Sequence, residues 1–165
     1  VFIRSQCGMD ISSAHLNQPL IPPSERRGAF EDQQTDMTGQ HTLKRAQLRR
    51  AAQAEERMTT ERCAIAELSN GKFDPEVSIA RARVAAGATT RWHRLIGIRE
   101  RYVVLEGRGR VEVGDLGAQD ILPGDVVLIP DGCRQRVTAL GNTDLLFLAI
   151  CSPRFQWEAY EDIDD

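Results

Sequence analysis

The sequence is poor in histidine. It has three in 165 residues, and two of them, His15 and His41, sit in a stretch rich in proline and amides, with no regular pattern. Any imidazole chemistry in the rest of the chain therefore rests on His93. Paired cysteines are also missing: Cys7, Cys63, Cys133 and Cys151 are scattered, with no C-x-x-C. That favours reduced thiols, packed as small hydrophobes, over a disulfide framework. No apolar run approaches the length that spans a membrane, and the start "VFIRSQCGMD" lacks the apolar core of an export signal. The expectation is a cytoplasmic protein with no membrane partner. A cationic surplus is absent as well: 21 Lys and Arg stand against 24 Asp and Glu, a formal charge of −3. Nucleic acid is accordingly excluded as the default partner, because phosphate binding relies on positive charge. There is no P-loop, no dinucleotide fingerprint, no internal repeat, and no helix-turn-helix signature in residues 1–57.

What remains supports a folded core. Hydrophobic residues make up 41% and charged residues 27%, within the range of one globular domain carrying an appendage. Residues 1–57 read as that appendage. "LNQPLIPPSERRGAFEDQQTDMTGQ" has three prolines and no sustained period, so it is expected to be irregular. "TLKRAQLRRAAQAEERM" is rich in helix formers, which predicts a marginal helix around 42–57. Its apolar face is mostly alanine, with Leu43, Leu48 and Met58 as the large members. Its basic residues come early and its acidic ones late, against the helix dipole. The compact part is expected over 58–165, able to fold without the appendage.

From about Asp74 the pattern turns to short β-rich runs broken by Gly, Pro and Asp: "VSIARARVAAG", "RERYVVLEGRGRVEVGD", "DVVLIP", "CRQRVTAL" and "TDLLFLAIC". Turn signals close to ten residues apart predict an all-β antiparallel barrel or sandwich. "VLEGRGRVEVG" reads as a hairpin with Gly107 and Gly109 at positive φ in its tip. Gly132 behind Pro130 makes a tight entry to the next strand. Period-two alternation puts Glu100, Tyr102 and Val104 on one face. It puts His93 with Leu95 and Arg91, and Gln135 with Cys133 and Val137, leaving Arg134 and Arg136 outward. The closing "EAYEDIDD" reads as an acidic, solvated tail.

Two spaced motifs stand out. The first runs Gly87, His93, Leu95, Glu100, Gly107; the second runs Gly124, Pro130, Gly132, Gln135, Ala139. At this spacing residues 74–153 resemble the cupin superfamily, whose signatures are G-x5-H-x-H-x4-E-x6-G and G-x5-P-x-G-x2-H-x3-N. The resemblance implies a double-stranded β-helix, a small jelly-roll barrel, with motifs over 87–107 and 124–139, and it implies a homodimer. In metal-binding cupins three histidines and the glutamate hold a divalent metal. Here His93 and Glu100 are kept, the second histidine is Leu95 and the third is Gln135. The implied site is His93, Glu100 and Gln135 around a divalent ion (Fe, Mn, Ni or Zn), lined by Arg91, Leu95, Tyr102 and Cys133, with Tyr102 as a proton donor. "IPDGCRQRV" resembles sugar-phosphate isomerase cupins. Beside this stands a metal-free pocket in which His93, Glu100 and Gln135 satisfy one another, since a buried glutamate requires a partner either way. Both functions stay open here: a metal-dependent oxygenase, isomerase or lyase on a small polar or sugar-like metabolite, and a non-catalytic small-molecule-binding or sensing cupin.

Overall fold

The computed structural model describes residues 45–164. Eleven strands follow in order: β1 Glu56–Met58, β2 Ala64–Ser69, β3 Ser78–Val84, β4 His93–Leu95, β5 Arg99–Glu106, β6 Gly109–Val113, β7 Ala118–Ile121, β8 Val126–Ile129, β9 Gln135–Ala139, β10 Leu145–Ser152 and β11 Tyr160–Asp162. They form two antiparallel sheets, ordered β1-β2-β3-β10-β5-β8 and β11-β4-β9-β6-β7. The all-β jelly-roll expectation holds.

Alternation sorts each strand. On β5 Glu100, Tyr102 and Val104 are buried, and on β9 Gln135, Val137 and Ala139 are buried. Arg134 and Arg136 do face outward, and both guanidinium groups lie over the ring of Trp92, at 4.0 and 4.5 Å. The shared core joins the sheets through Val84, Val104, Val111, Val137, Leu145 and Phe147. On β3 the inward positions are small, Ser78, Ala80 and Ala82, and Ala149 on β10 pairs with Ala80. Short side chains here leave unfilled space between the sheets, where leucine or isoleucine would have closed it.

The hairpin expected from "VLEGRGRVEVG" does not form. β5 pairs with β10 and β8, whereas β6 pairs with β9 and β7, so the chain changes sheets at Gly107 and Arg108. Gly107 does take positive φ, +80°, and a Cβ there would lie 2.2 Å from the Asp144 carbonyl oxygen. Gly109 does not; it is a strand residue that leaves room for Leu145, whose Cδ2 would sit 2.6 Å from an added Cβ. Gly107→Ala therefore combines left-handed strain with a backbone clash. We expect it to cost at least about 2 kcal/mol in urea unfolding, against a smaller loss at Gly117→Ala, which shares the positive φ (+74°) but has no atom near an added Cβ.

The expected helix over 42–57 is likewise absent where the chain is described, from Arg45 on. Residues Ala51–Gln53 make one 3-10 turn, and Glu56–Met58 is an edge strand paired with Ala64–Ala66. Glu56 ion-pairs with Arg83 of β3, which holds this segment extended. The barrel thus begins two residues before the expected boundary at Met58. The rest of the 1–57 expectation, residues 1–44, lies outside the described residues. The acidic tail is not merely solvated either. β11 pairs with β4, Arg94 binds Glu161, and Arg91 Nε donates to Asp162 at 2.7 Å. Among the described residues no helix is long and apolar enough to cross a membrane.

Candidate functional site

The two sheets enclose a cavity of about 100 Å³ whose wall includes His93, Leu95, Glu100, Tyr102, Cys151 and Glu61. β4 and β9 bring His93 opposite Gln135, and β5 supplies Glu100 and Tyr102 from the facing sheet. His93 is 5% exposed and Glu100 8%. The His93 Nδ1 lies 3.0 Å from the Arg91 carbonyl oxygen, which can only accept. Nδ1 therefore carries the hydrogen and Nε2 keeps the lone pair.

Gln135 is 1% exposed and ties the buried polar groups together. Its Nε2 donates to Glu100 Oε2 at 2.7 Å, and its Oε1 accepts from the Tyr102 hydroxyl at 2.8 Å. Cys151 Sγ donates weakly to Glu100 Oε1 at 3.7 Å. Burial pushes the Glu100 carboxyl above the ordinary carboxylate range, with His93 and Gln135 pulling the other way. Burial likewise holds Tyr102 well above the usual phenol range, so it stays protonated.

A second carboxylate, Glu61, completes the group. It sits in the turn between β1 and β2, next to Arg62 at positive φ, and its carbonyl accepts from the Arg91 amide at 3.1 Å. Burial raises its carboxyl too, opposed by His93 and reinforced by Asp162. Among the described residues no hydrogen bond to its carboxyl is seen, so this carboxyl is not held by another side chain. Sequence reasoning missed Glu61 because "TTERC" reads as a polar turn ahead of the first motif. Its one clue is the i, i+2 spacing to the buried Cys63.

Of the residues expected in the pocket, Leu95 and Tyr102 line it, whereas Arg91 and Cys133 do not. Arg91 is drawn outward by Asp162 and Asp164. Cys133 sits beside Gly114, where an added Cβ would meet its Sγ at 2.8 Å. The lining thiols are instead Cys63 and Cys151; burial pushes Cys63 up to about 12 and raises Cys151 further, which leaves both protonated and poor nucleophiles. Phe155 and Trp157 are also in the wall. They continue an aromatic row: Phe155 edge-on to Trp157 at 5.2 Å, Trp157 edge-on to Tyr160 at 5.9 Å, and Tyr160 stacked on His93 at 5.4 Å.

The residues do not fit a divalent metal as they stand. Leu95 offers no donor, Gln135 turns its NH2 toward Glu100, and its oxygen is engaged by Tyr102. Among the described residues no three His, Cys, Asp or Glu side chains converge so as to hold a metal ion.

Residues 80–151 match the cupin domain family, and that span contains both spaced motifs and most of the paired strands. Residues 80–151 form a cupin domain. Solved structures similar to the chain share this fold. KdgF from Halomonas sp. is 17% identical over 66% of this chain and 96% of its own, with a TM-score of 0.58. Pac13, a nucleoside dehydratase, is 13% identical over 73% of this chain and 92% of its own, with a TM-score of 0.62. A predicted oxalate decarboxylase from Thermotoga maritima is 23% identical over 65% and 99%, with a TM-score of 0.59. Among curated proteins none matches the chain. At these identities the likeness of the cupin domain to its neighbours concerns the fold.

Proposed function

We propose that the cavity is the acid–base site of a metal-independent lyase or isomerase acting on a small polar, sugar-like metabolite. The observation that carries this is that Glu61, Glu100 and His93 line one cavity, where burial raises both carboxyls above the ordinary carboxylate range. A carboxyl whose burial favours its protonated form can donate a proton, and an imidazole with a free Nε2 can accept one. In an elimination, His93 Nε2 takes the proton from carbon while Glu61 delivers its proton to the departing hydroxyl, which leaves as water. The bond electrons form the new double bond. Glu100 then faces the imidazolium so formed, and Gln135 and Tyr102 hold Glu100 in place. Solvent exchange of the proton from His93 to Glu61 resets the pair. Pac13, a nucleoside dehydratase by name, has been solved in variant forms with uridine, and loss of water from a sugar-bearing molecule is chemistry of this type.

The test is hydrogen–deuterium exchange, followed by NMR, at carbon positions next to a carbonyl in a panel of small sugars and nucleoside aldehydes. Exchange should survive extensive chelation and drop at least about 100-fold in both Glu61→Gln and His93→Gln. Activity that vanishes on chelation and returns with a divalent ion would overturn the metal-free reading. It would restore the metal-dependent alternative built on His93, Glu100 and Gln135. Ligand binding without exchange would favour the sensing alternative.

The homodimer belongs here as well. Val126 and Leu128 are exposed on the outer face of edge strand β8, beside Leu105 of β5. We propose that a second copy covers this face. Light scattering at micromolar concentration should give twice the chain mass, and Leu128→Glu should return it to one; a clean monomer in the unaltered protein would contradict the proposal.

A further inference from the structure

The acid–base reading leaves the substrate class open, and the wall of the same cavity narrows it. The carboxyl groups in that wall are those of Glu61, Glu67 and Glu100. His93 is the one group there able to carry positive charge, and it already faces two carboxyls. Of the arginines near it, Arg83 pairs with Glu56 and Asp144, and Arg91 with Asp162. Arg154 lies outside the wall, with Nη1 donating to Asn70 at 3.0 Å. A phosphate or carboxylate entering this space would lose its water and meet no compensating cation, which costs several-fold to many-fold in affinity.

Trp157 supplies the second observation. It is 59% exposed at the mouth, at the outer end of the row Trp157–Tyr160–His93. An indole held this way offers a flat surface to a planar base or to the C–H face of a sugar ring. The cavity itself has room for only a small group, on the scale of several waters. We infer that this site takes an uncharged ring-bearing molecule, a nucleoside or glycoside without phosphate or carboxylate, with its ring on Trp157 and its reacting end directed toward Glu61 and His93. The inference rests on the acid–base reading for where the reacting end lies. It narrows the sugar-like substrates suggested by the phrase "IPDGCRQRV" to those without phosphate.

Calorimetric titration tests it with two matched pairs: cytidine against cytidine 5′-monophosphate, and methyl glucoside against glucose 6-phosphate. In at least one pair the uncharged member should bind about tenfold tighter or more, and which pair responds separates base stacking from sugar stacking. Trp157→Ala should weaken that binding about tenfold, Trp157→Phe should restore most of it, and Glu67→Lys should shrink the preference against phosphate. Circular dichroism of each variant checks the fold. Equal or tighter binding of the phosphorylated member, no binding of any of the four at millimolar concentration, or an unchanged affinity in Trp157→Ala would overturn the inference. Binding with the expected preference but without proton exchange leaves it standing and removes the acid–base reading instead.

Discussion

Gln135→Leu is expected to lower the melting temperature by roughly 5–15 °C, a loss of about 2–5 kcal/mol. Leucine fills nearly the same volume, so the cost comes from the groups left behind. The Tyr102 hydroxyl loses its acceptor and Glu100 Oε2 loses its donor, both on buried residues. An orphaned buried polar group costs more than the net worth of the bond it made. Adding Tyr102→Phe to Gln135→Leu should recover part of the loss, because one orphan disappears with its hydroxyl. The double-mutant cycle would then show a coupling of about 1 kcal/mol or more. Strict additivity of the two losses would mean that the chain Tyr102–Gln135–Glu100 does not act as a unit.

The second large effect is on pH dependence. Burial raises the folded-state value of Glu100 above 4.5, with Glu61 raised in the same sense. Below that unfolded value both states hold the proton and the folded chain has its full stability from these groups. As pH climbs, the unfolded chain releases protons that the folded chain retains, and stability falls until the folded values are passed. The slope is at most about 1.4 kcal/mol per pH unit for each group. Glu100→Gln removes one such group while keeping an oxygen for Gln135 to donate to. Urea unfolding at pH 5 and pH 8 should therefore show the variant gaining on the parent as pH rises. The exposed ion pairs work in the opposite direction, with Asp120 lowered by Arg110 and Arg108, and Asp144 by the Ala86 amide and Arg83. Since both proteins share them, they cancel in the difference. A variant that instead falls further behind at pH 8 would show that Glu100 is ionised and paired in the folded state.

The barrel was legible in the sequence because alternation, turn spacing and the two motifs all bear on the same strands. His93, Glu100, Tyr102 and Gln135 fall on inward positions that a count of two along each strand already picks out. What could not be read was which neighbours those strands take. β5 and β6 are joined by two residues and still belong to different sheets, and no local cue distinguishes such a crossing from a hairpin. Glu61 escaped for the same reason: its place in the cavity depends on Arg91, thirty residues later, receiving its carbonyl. The helix over 42–57 rested on composition alone. An alanine face gave it little to bury, and pairing of Glu56 with Arg83 favoured an extended edge. Arg91 was misjudged because its partners, Asp162 and Asp164, lie in a tail that looked like solvent-facing charge.

Those partners lie far from Arg91 along the chain. Arg91 and Asp162 are 71 residues apart, and Tyr160, stacked on His93, arrives on the same strand. During synthesis, β4 is made before β11 and keeps an unpaired edge until β11 emerges from the ribosome. The imidazole stays uncovered on that side for the same interval. A nascent barrel of this kind can collapse around its aliphatic core while its chemistry remains unbuilt, and slow closure of so distant a pair extends the window in which the bare edge can join another chain.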